Sequence, residues 1–172
     1  RQFLESLTAL DYDTDLLEIF LVDGSSTDCT VDIIRDYCER HAHLKLLHNP
    51  NRTVPYALNI GLAQASGELI ARMDIHSRFP PDYVSKLVEW HGRLEADNIG
   101  GICRTGTLAD SGTAAAIALA MSDRFGVGNS IFRIGTEQEY LEVDTVPFGC
   151  YRRDVFDRIG TFDERLTRNQ DI

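Results

Sequence analysis

The chain has 172 residues, 43% of them hydrophobic and 26% charged, and a formal net charge of −10. That balance fits one ordinary globular domain, or a large piece of one, burying about 70% of its unfolded surface, and it excludes a disordered, collagen-like or coiled-coil chain. No run approaches the roughly 18 apolar residues of a membrane span, residues 114–121 being the richest, and no basic stripe of the kind that neutralises nucleic-acid phosphates is present.

The chain opens without a methionine, in what reads as a helix, as expected of a fragment of a longer protein. Residues 18–22 (E-I-F-L-V) form a short apolar run that reads as a strand and stops at Asp23-Gly24-Ser25-Ser26, a cluster of turn and capping residues. A helix is predicted from about Asp28, with Val31, Ile34 and Cys38 on one face and Ile33 and Tyr37 beside them. Residues 44–47 read as a second strand, broken by Asn49-Pro50-Asn51. Val54, Ala57, Leu58, Gly61, Leu62 and Ala65 then follow i, i+3, i+4, i+7, i+8, i+11, one apolar helical stripe ended by Gly67. Residues 68–73 read as a third strand that arrives at Asp74. Pro80-Pro81 is placed to open a helix at its first turn, with Tyr83, Val84, Leu87, Val88, His91 and Leu94 on its buried side. Strand 99–104, an Ala-rich helix over 114–121, strand 144–152 and a short helix from Asp154 complete the pattern. Strands alternating with amphipathic helices predict an α/β layered fold with a largely parallel sheet, right-handed crossovers and ligands beyond the carboxyl ends of the strands.

The cysteines, Cys29, Cys38, Cys103 and Cys150, show no C-x-x-C spacing. They are expected to be reduced, buried thiols of a cytoplasmic protein.

Two strand ends carry candidate chemistry. On an extended chain Asp74 and His76 project to the same side and would share a divalent cation, Mn²⁺ over Mg²⁺ because of the nitrogen ligand. A lone D-x-H is more often a turn residue and a surface histidine. Asp23 ends a buried strand, where a carboxylate accepts hydrogen bonds from a base or ribose and the following helix start offers N–H groups to an anion. The plainer reading has Ser26, Thr27 or Asp28 capping that helix. Asp171 is a candidate general base, or a surface loop acid. Two attractive matches fail: residues 11–15 start like a calcium loop, but Leu16 replaces the glycine and Val22 the bidentate glutamate; Gly126-Val127-Gly128 follows no strand.

Taken together, the motifs resemble a family 2 glycosyltransferase with the GT-A fold. Residues 18–30 (E-I-F-L-V-D-G-S-S-T-D-C-T) are similar to the family's E-I-x-V-V-D-D-G-S-T-D-x-T. Asn59-Ile60-Gly61 through Gly67-Glu68 resembles N-x-G-x-x-x-A-x-G-E, and Asp74-Ile75-His76 stands at the D-x-D position. Gly149-Cys150-Tyr151-Arg152-Arg153, Gly160-Thr161-Phe162-Asp163-Glu164 and Asp171 resemble the G-x-x-R-R, G-x-F-D-E and closing acidic segments, in order. The stretches M-D-I-H-S-R-F-P-P-D-Y-V, F-G-V-G-N-S and V-D-T-V-P-F-G are similar to bacterial exopolysaccharide transferases of the succinoglycan type.

The resemblance implies a GT-A, Rossmann-like, mostly parallel sheet flanked by helices, truncated at both ends. Residues 1–172 would be one catalytic domain whose first strand precedes Arg1 and whose acceptor-side region follows Ile172. It implies inverting transfer from a nucleoside-diphosphate sugar, foremost a UDP-sugar, to a saccharide or lipid-linked saccharide. In that scheme Asp23, Ser25, Arg52 and Asp74 bind the nucleotide sugar, Asp74 and His76 hold Mn²⁺ or Mg²⁺, and Asp171 deprotonates the acceptor. Gly24 stands where the family commonly has a second Asp, which predicts fewer base or ribose contacts, and His76 replaces an Asp, which shifts metal preference. The expected location is the cytoplasm, at the inner face of the membrane for the complete protein, with no nucleic-acid partner. A missing central strand would expose a sheet edge and invite a homodimer. The fragment alone is expected to be weak or inactive. The rival functions are a non-catalytic nucleotide-sugar scaffold and a sugar nucleotidyltransferase.

Overall fold

The computed structural model describes residues 1–107, 111–128 and 130–166. In chain order the elements are α1 (Gln2–Thr8), β1 (Ile19–Asp23), α2 (Thr30–Arg40), β2 (Leu44–His48), α3 (Val54–Gln64), β3 (Leu69–Ala71), α4 (Tyr83–Arg93), β4 (Asn98–Ile99), α5 (Gly112–Ala120), α6 (Arg124–Val127), α7 (Ile131–Ile134), β5 (Cys150–Arg152) and α8 (Arg153–Ile159). Among the described residues they divide into two compact units, residues 1–99 with 150–166, and residues within 100–149.

In the first unit, β1 and β2 pair in parallel from Ile19↔Leu44 to Asp23↔His48, with α2 as the crossover. The helix turns inward the face its spacing predicts: Ile34 is buried, and Ile33, Tyr37 and Cys38 pack around it. Phe3, Leu4 and Leu7 of α1 join Leu21, Ile34, Leu44 and Phe79 in one core cluster. Leu7 is only 2% exposed, and a leucine so placed stabilises a fold by about 1.5–3 kcal/mol. On the other side Gly61 of α3 lies against β1, where an added Cβ would sit 3.8 Å from a Val22 methyl group. The predicted stripe is half-buried along α3, except that Val54 is 44% exposed.

A second, three-stranded sheet has the order β3-β5-β4, with β5 antiparallel to both neighbours (Ile70↔Tyr151, Asn98↔Tyr151). Strands β3 and β4 therefore run in the same direction without pairing; of the three pairings among the described residues, β1–β2 is parallel and the two made by β5 are antiparallel. Arg152 anchors β5. Its Nε donates to the Ala96 carbonyl at 3.1 Å, and a terminal nitrogen donates to the carbonyls of His91 and Leu94 at 2.8 and 3.3 Å. The His91 and Leu94 carbonyls end α4, where orphan acceptors and the helix dipole favour a cation. Arg153 does the same beyond α3, donating to Gly67 at 2.8 Å and also to the Ala65 carbonyl. The adjacent arginines of the G-x-x-R-R segment thus close two different helix ends.

Several expected elements come out shorter, among them the strand predicted over 68–73, which is formed only by Leu69–Ala71. The strand predicted over 144–152 is formed only by Cys150–Arg152: Pro147 has no N–H to pair, and Phe148 adopts φ 52°. The strand predicted over 99–104 stops at Ile99. There Gly100 admits the 146–147 segment so closely that a Cβ would stand 2.4 Å from a Val146 methyl group. The helix expected at Pro80-Pro81 begins at Tyr83 instead, because a residue before proline is pushed out of the helical region; the Pro81 carbonyl instead accepts the Asp11 N–H at 2.8 Å.

The second unit is helical. Ser111 Oγ accepts the Ala114 N–H at 3.2 Å to cap α5, and Asp123 accepts the Phe125 N–H at 2.8 Å to cap α6. The helices meet at Gly126, where a Cβ would stand 1.9 Å from the Ala120 carbonyl oxygen, so only glycine fits. Among the described residues no helix is long and apolar enough to cross a membrane. The four cysteines are free, but they are not uniformly buried as expected. Cys150 is buried, Cys38 and Cys103 are half-buried, and Cys29 is exposed because it precedes α2 on the loop side.

Candidate functional site

Because Asp23 and His48 are register partners, the loops after β1 and β2 leave side by side. The Asn49 N–H donates to the Asp23 carbonyl at 2.8 Å, carrying the ladder one step past β2. Ser25 Oγ donates to the Asn49 carbonyl at 3.3 Å, joining the two loops. Asn49 is 1% exposed; its Nδ2 donates to the Thr53 carbonyl at 2.9 Å and its Oδ1 accepts the Asn51 N–H at 3.1 Å. Those bonds fold residues 49–53 into an asparagine-centred turn.

Both loops carry strain at their tips. Ser25 has φ 64° and Arg52 has φ 62°, left-handed conformations that cost a side-chain-bearing residue about 1–3 kcal/mol. Gly24 lies against the second loop: a Cβ there would be 3.6 Å from the Arg52 carbonyl oxygen and 3.7 Å from its Cα. Asp23, Ser25 and Arg52, far apart in sequence, are brought to one corner.

Asp23 is 7% exposed, and its Oδ2 accepts the Ser26 N–H at 3.0 Å. Hydrogen bonding from Ser26 holds its carboxyl below the usual 3.8 against the opposing effect of burial, with smaller help from the Ser25 backbone and His48. Asp23 is therefore an ionised carboxylate at neutral pH, held almost out of solvent at the end of a strand. Of the three residues expected to cap the following helix, Asp28 is the one whose side chain reaches it. Helix α2 starts at Thr30, whose N–H donates to Asp28 Oδ1 at 3.0 Å.

The extended-chain expectation for Asp74 and His76 does not hold. Strand β3 ends at Ala71, and the Ser77 N–H donates to the Asp74 carbonyl at 3.0 Å, so residues 74–77 form a turn. Alternation of sides belongs to strands and does not apply there. His76 is exposed in that turn. Asp74 is gripped by Arg72, with Nε 2.9 Å from Oδ1 and a terminal nitrogen 3.0 Å from Oδ2. The pair is largely shielded, its side chains 10% and 22% exposed. Among the described residues no cluster of three or more His, Cys, Asp or Glu is placed to hold a metal ion. The side chains as arranged do not fit a divalent cation at Asp74: both carboxylate oxygens already serve a guanidinium, whose positive charge repels a second cation. Asp171 lies outside the described residues.

Other motif residues hold the site's frame. Asn59 of α3 makes a reciprocal pair with Phe162, Nδ2 donating to its carbonyl at 2.9 Å and Oδ1 accepting its N–H at 3.0 Å, and Nδ2 also donates to Glu164 at 3.0 Å. Sequence reasoning noticed Asn59, Arg152 and Arg153 as motif letters but assigned them no partner, and it passed over Arg72. The one available signal for Arg72 was its spacing of two from Asp74.

Residues 1–160 match the family model for Glycosyl transferase family 2. Succinoglycan biosynthesis protein ExoA of Rhizobium meliloti (strain 1021) is 29% identical over 155 residues, which cover 89% of this chain and 46% of ExoA. Among solved structures, the mannosyltransferase PcManGT from Pyrobaculum calidifontis, in complex with GDP-Man and Mn²⁺, superposes with a TM-score of 0.69 at 22% identity, covering 98% of this chain and 44% of that one. S. aureus TarS in complex with UDP-GlcNAc superposes with a TM-score of 0.66 at 18% identity, covering 98% and 46%. At those identities the superpositions speak for the fold, which is GT-A. The chain spans about half the length of these relatives.

Proposed function

Since the chain belongs to glycosyl transferase family 2, we propose that it carries out inverting transfer of a sugar from a nucleoside-diphosphate sugar, foremost a UDP-sugar, to a saccharide or lipid-linked saccharide in exopolysaccharide synthesis. The observation that carries this reading is the corner beyond β1 and β2, where a buried carboxylate, Asp23, meets Ser25 and Arg52 on two strained loops. Asp23 accepts hydrogen bonds from the nucleotide base, Ser25 offers a hydroxyl, and Arg52 supplies a cation for the diphosphate. Strain of this kind concentrates where a ligand is gripped. Asp74 stands beside the ribose and diphosphate, and Asp171 takes the proton from the acceptor hydroxyl, a step worth about 10²–10⁴-fold in rate.

Support for the donor class comes from the GDP-Man and UDP-GlcNAc in the two structural neighbours, and for the pathway from the similarity to ExoA. Support for Mn²⁺ or Mg²⁺ at Asp74 and His76 is the Mn²⁺ in the mannosyltransferase complex; binding there requires Arg72 to release Asp74 first. Both units are read as parts of one catalytic domain, because the family match runs through both. The complete protein is placed in the cytoplasm, at the inner membrane face.

A donor screen on the complete protein, reading released UDP or GDP with and without manganese, tests the proposal. Turnover with one sugar nucleotide, abolished by Asp171→Asn, is expected. Binding without turnover, insensitive to Asp171→Asn, would move the assignment to a non-catalytic scaffold.

A further inference from the structure

Residues 100–149 carry more acids than bases and contain only three basic side chains, Arg104, Arg124 and Arg133. All three line a single cavity of about 1100 Å³, together with Glu137. They reach it from separate places: the segment after β4, the start of α6 and the interior of α7. No local charge run or helical repeat accounts for their meeting. Among the described residues none of the three is in an ion pair, although the chain as a whole has acids in excess. Arg133 is instead set over the Phe132 ring, its guanidinium carbon 5.3 Å from the centroid. Arg104 and Arg124 are exposed and Arg133 is half-buried; guanidinium groups lining one space favour an anion there, and their planar forks match phosphate oxygens.

We infer that this cavity binds a phosphate-bearing ligand, held by Arg104, Arg124 and Arg133, with Glu137 opposing it. Two sources share that chemistry: a free phosphate ester, and the headgroup of an anionic lipid. Phe125, fully exposed beside Arg124, and Leu119, 72% exposed, offer an apolar contact to the second.

Calorimetric titration of the complete protein with inorganic pyrophosphate tests the inference. The Arg104→Gln, Arg124→Gln, Arg133→Gln triple variant is expected to bind at least about tenfold more weakly, since each lost charge-assisted bond is worth more than the 1.4 kcal/mol of a tenfold change. Glu137→Gln is expected to bind more tightly, a gain that misfolding cannot produce. Flotation with phosphatidylcholine vesicles, with and without phosphatidylglycerol, separates the sources. Arginine-dependent binding to the anionic vesicles assigns a lipid headgroup, and binding of pyrophosphate alone assigns a free phosphate. No pyrophosphate binding, equal affinity in a folded triple variant, or a Glu137→Gln variant no tighter than the parent would overturn the inference. Should the triple variant fail to fold, Glu137→Gln decides.

Discussion

Arg72 holds Asp74 by both carboxylate oxygens, at 2.9 and 3.0 Å, two residues apart in the chain and just past the end of β3. A parallel fork of this kind is the strongest geometry open to a carboxylate and a guanidinium. It sets the condition for any cation at this position: the metal competes with an arginine already in place. Arg72→Gln is therefore expected to raise the affinity for Mn²⁺ at Asp74 by about tenfold or more, the charge repulsion being worth at least 1.4 kcal/mol at this range. Calorimetric Mn²⁺ titration of the variant and of Arg72→Gln, Asp74→Asn checks it. Unchanged affinity, or a gain that survives loss of Asp74, would show that the pair does not control the metal.

Asp23 links stability to pH. Its folded carboxyl lies below the ordinary 3.8, so it binds protons less readily than in the unfolded chain. Its contribution is complete above 3.8 and is lost as pH falls through the lower folded value. Asp23→Asn is expected to cost about 1–3 kcal/mol at neutral pH, through the weakened bond to Ser26 in a buried setting. It should also flatten the loss of stability in acid, and urea unfolding at a series of pH values measures both effects.

Asn59 joins α3 to the segment at 162–164 through three hydrogen bonds. Asn59→Ala leaves the Phe162 N–H and carbonyl without this partner, and is expected to cost about 1–3 kcal/mol. Asn59→Asp keeps an acceptor for the N–H but loses both donations and faces Glu164, so it should be no better than alanine. Equilibrium denaturation ranks the two.

The thiols should separate by environment. Burial pushes the Cys150 thiol up to about 12, and the residue is 2% exposed, whereas Cys29 is exposed. A thiolate-trapping reagent is expected to label Cys29 in the native protein and Cys150 only on unfolding. Peptide mapping after brief treatment reads the order.

Much of the first unit was legible. The run at 18–22 and the stripe from Val54 to Ala65 carry their periods openly, and the turn residues around Asp23 and Asn49 mark where loops must leave the sheet. The corner that collects Asp23, Ser25 and Arg52 follows from the parallel pairing of β1 and β2, which a strand–helix–strand pattern announces. The antiparallel seat of β5 was not legible, because its partners lie some 50 to 80 residues away and a three-residue strand carries no period. Nor was the turn at 74–77: Asp-x-His looks the same on a strand as in a turn, and the backbone bond from Ser77 to Asp74 leaves no mark in composition.

The central claim is that the corner beyond β1 and β2 is where a nucleotide sits. Calorimetric titration of UDP into the complete protein and into Asp23→Ala, each verified as folded by its melting transition, tests it most directly. Saturable binding by the parent and affinity weaker by about tenfold or more in the variant are predicted, in keeping with loss of a charged hydrogen-bond acceptor. Equal affinity in the two folded proteins would contradict it.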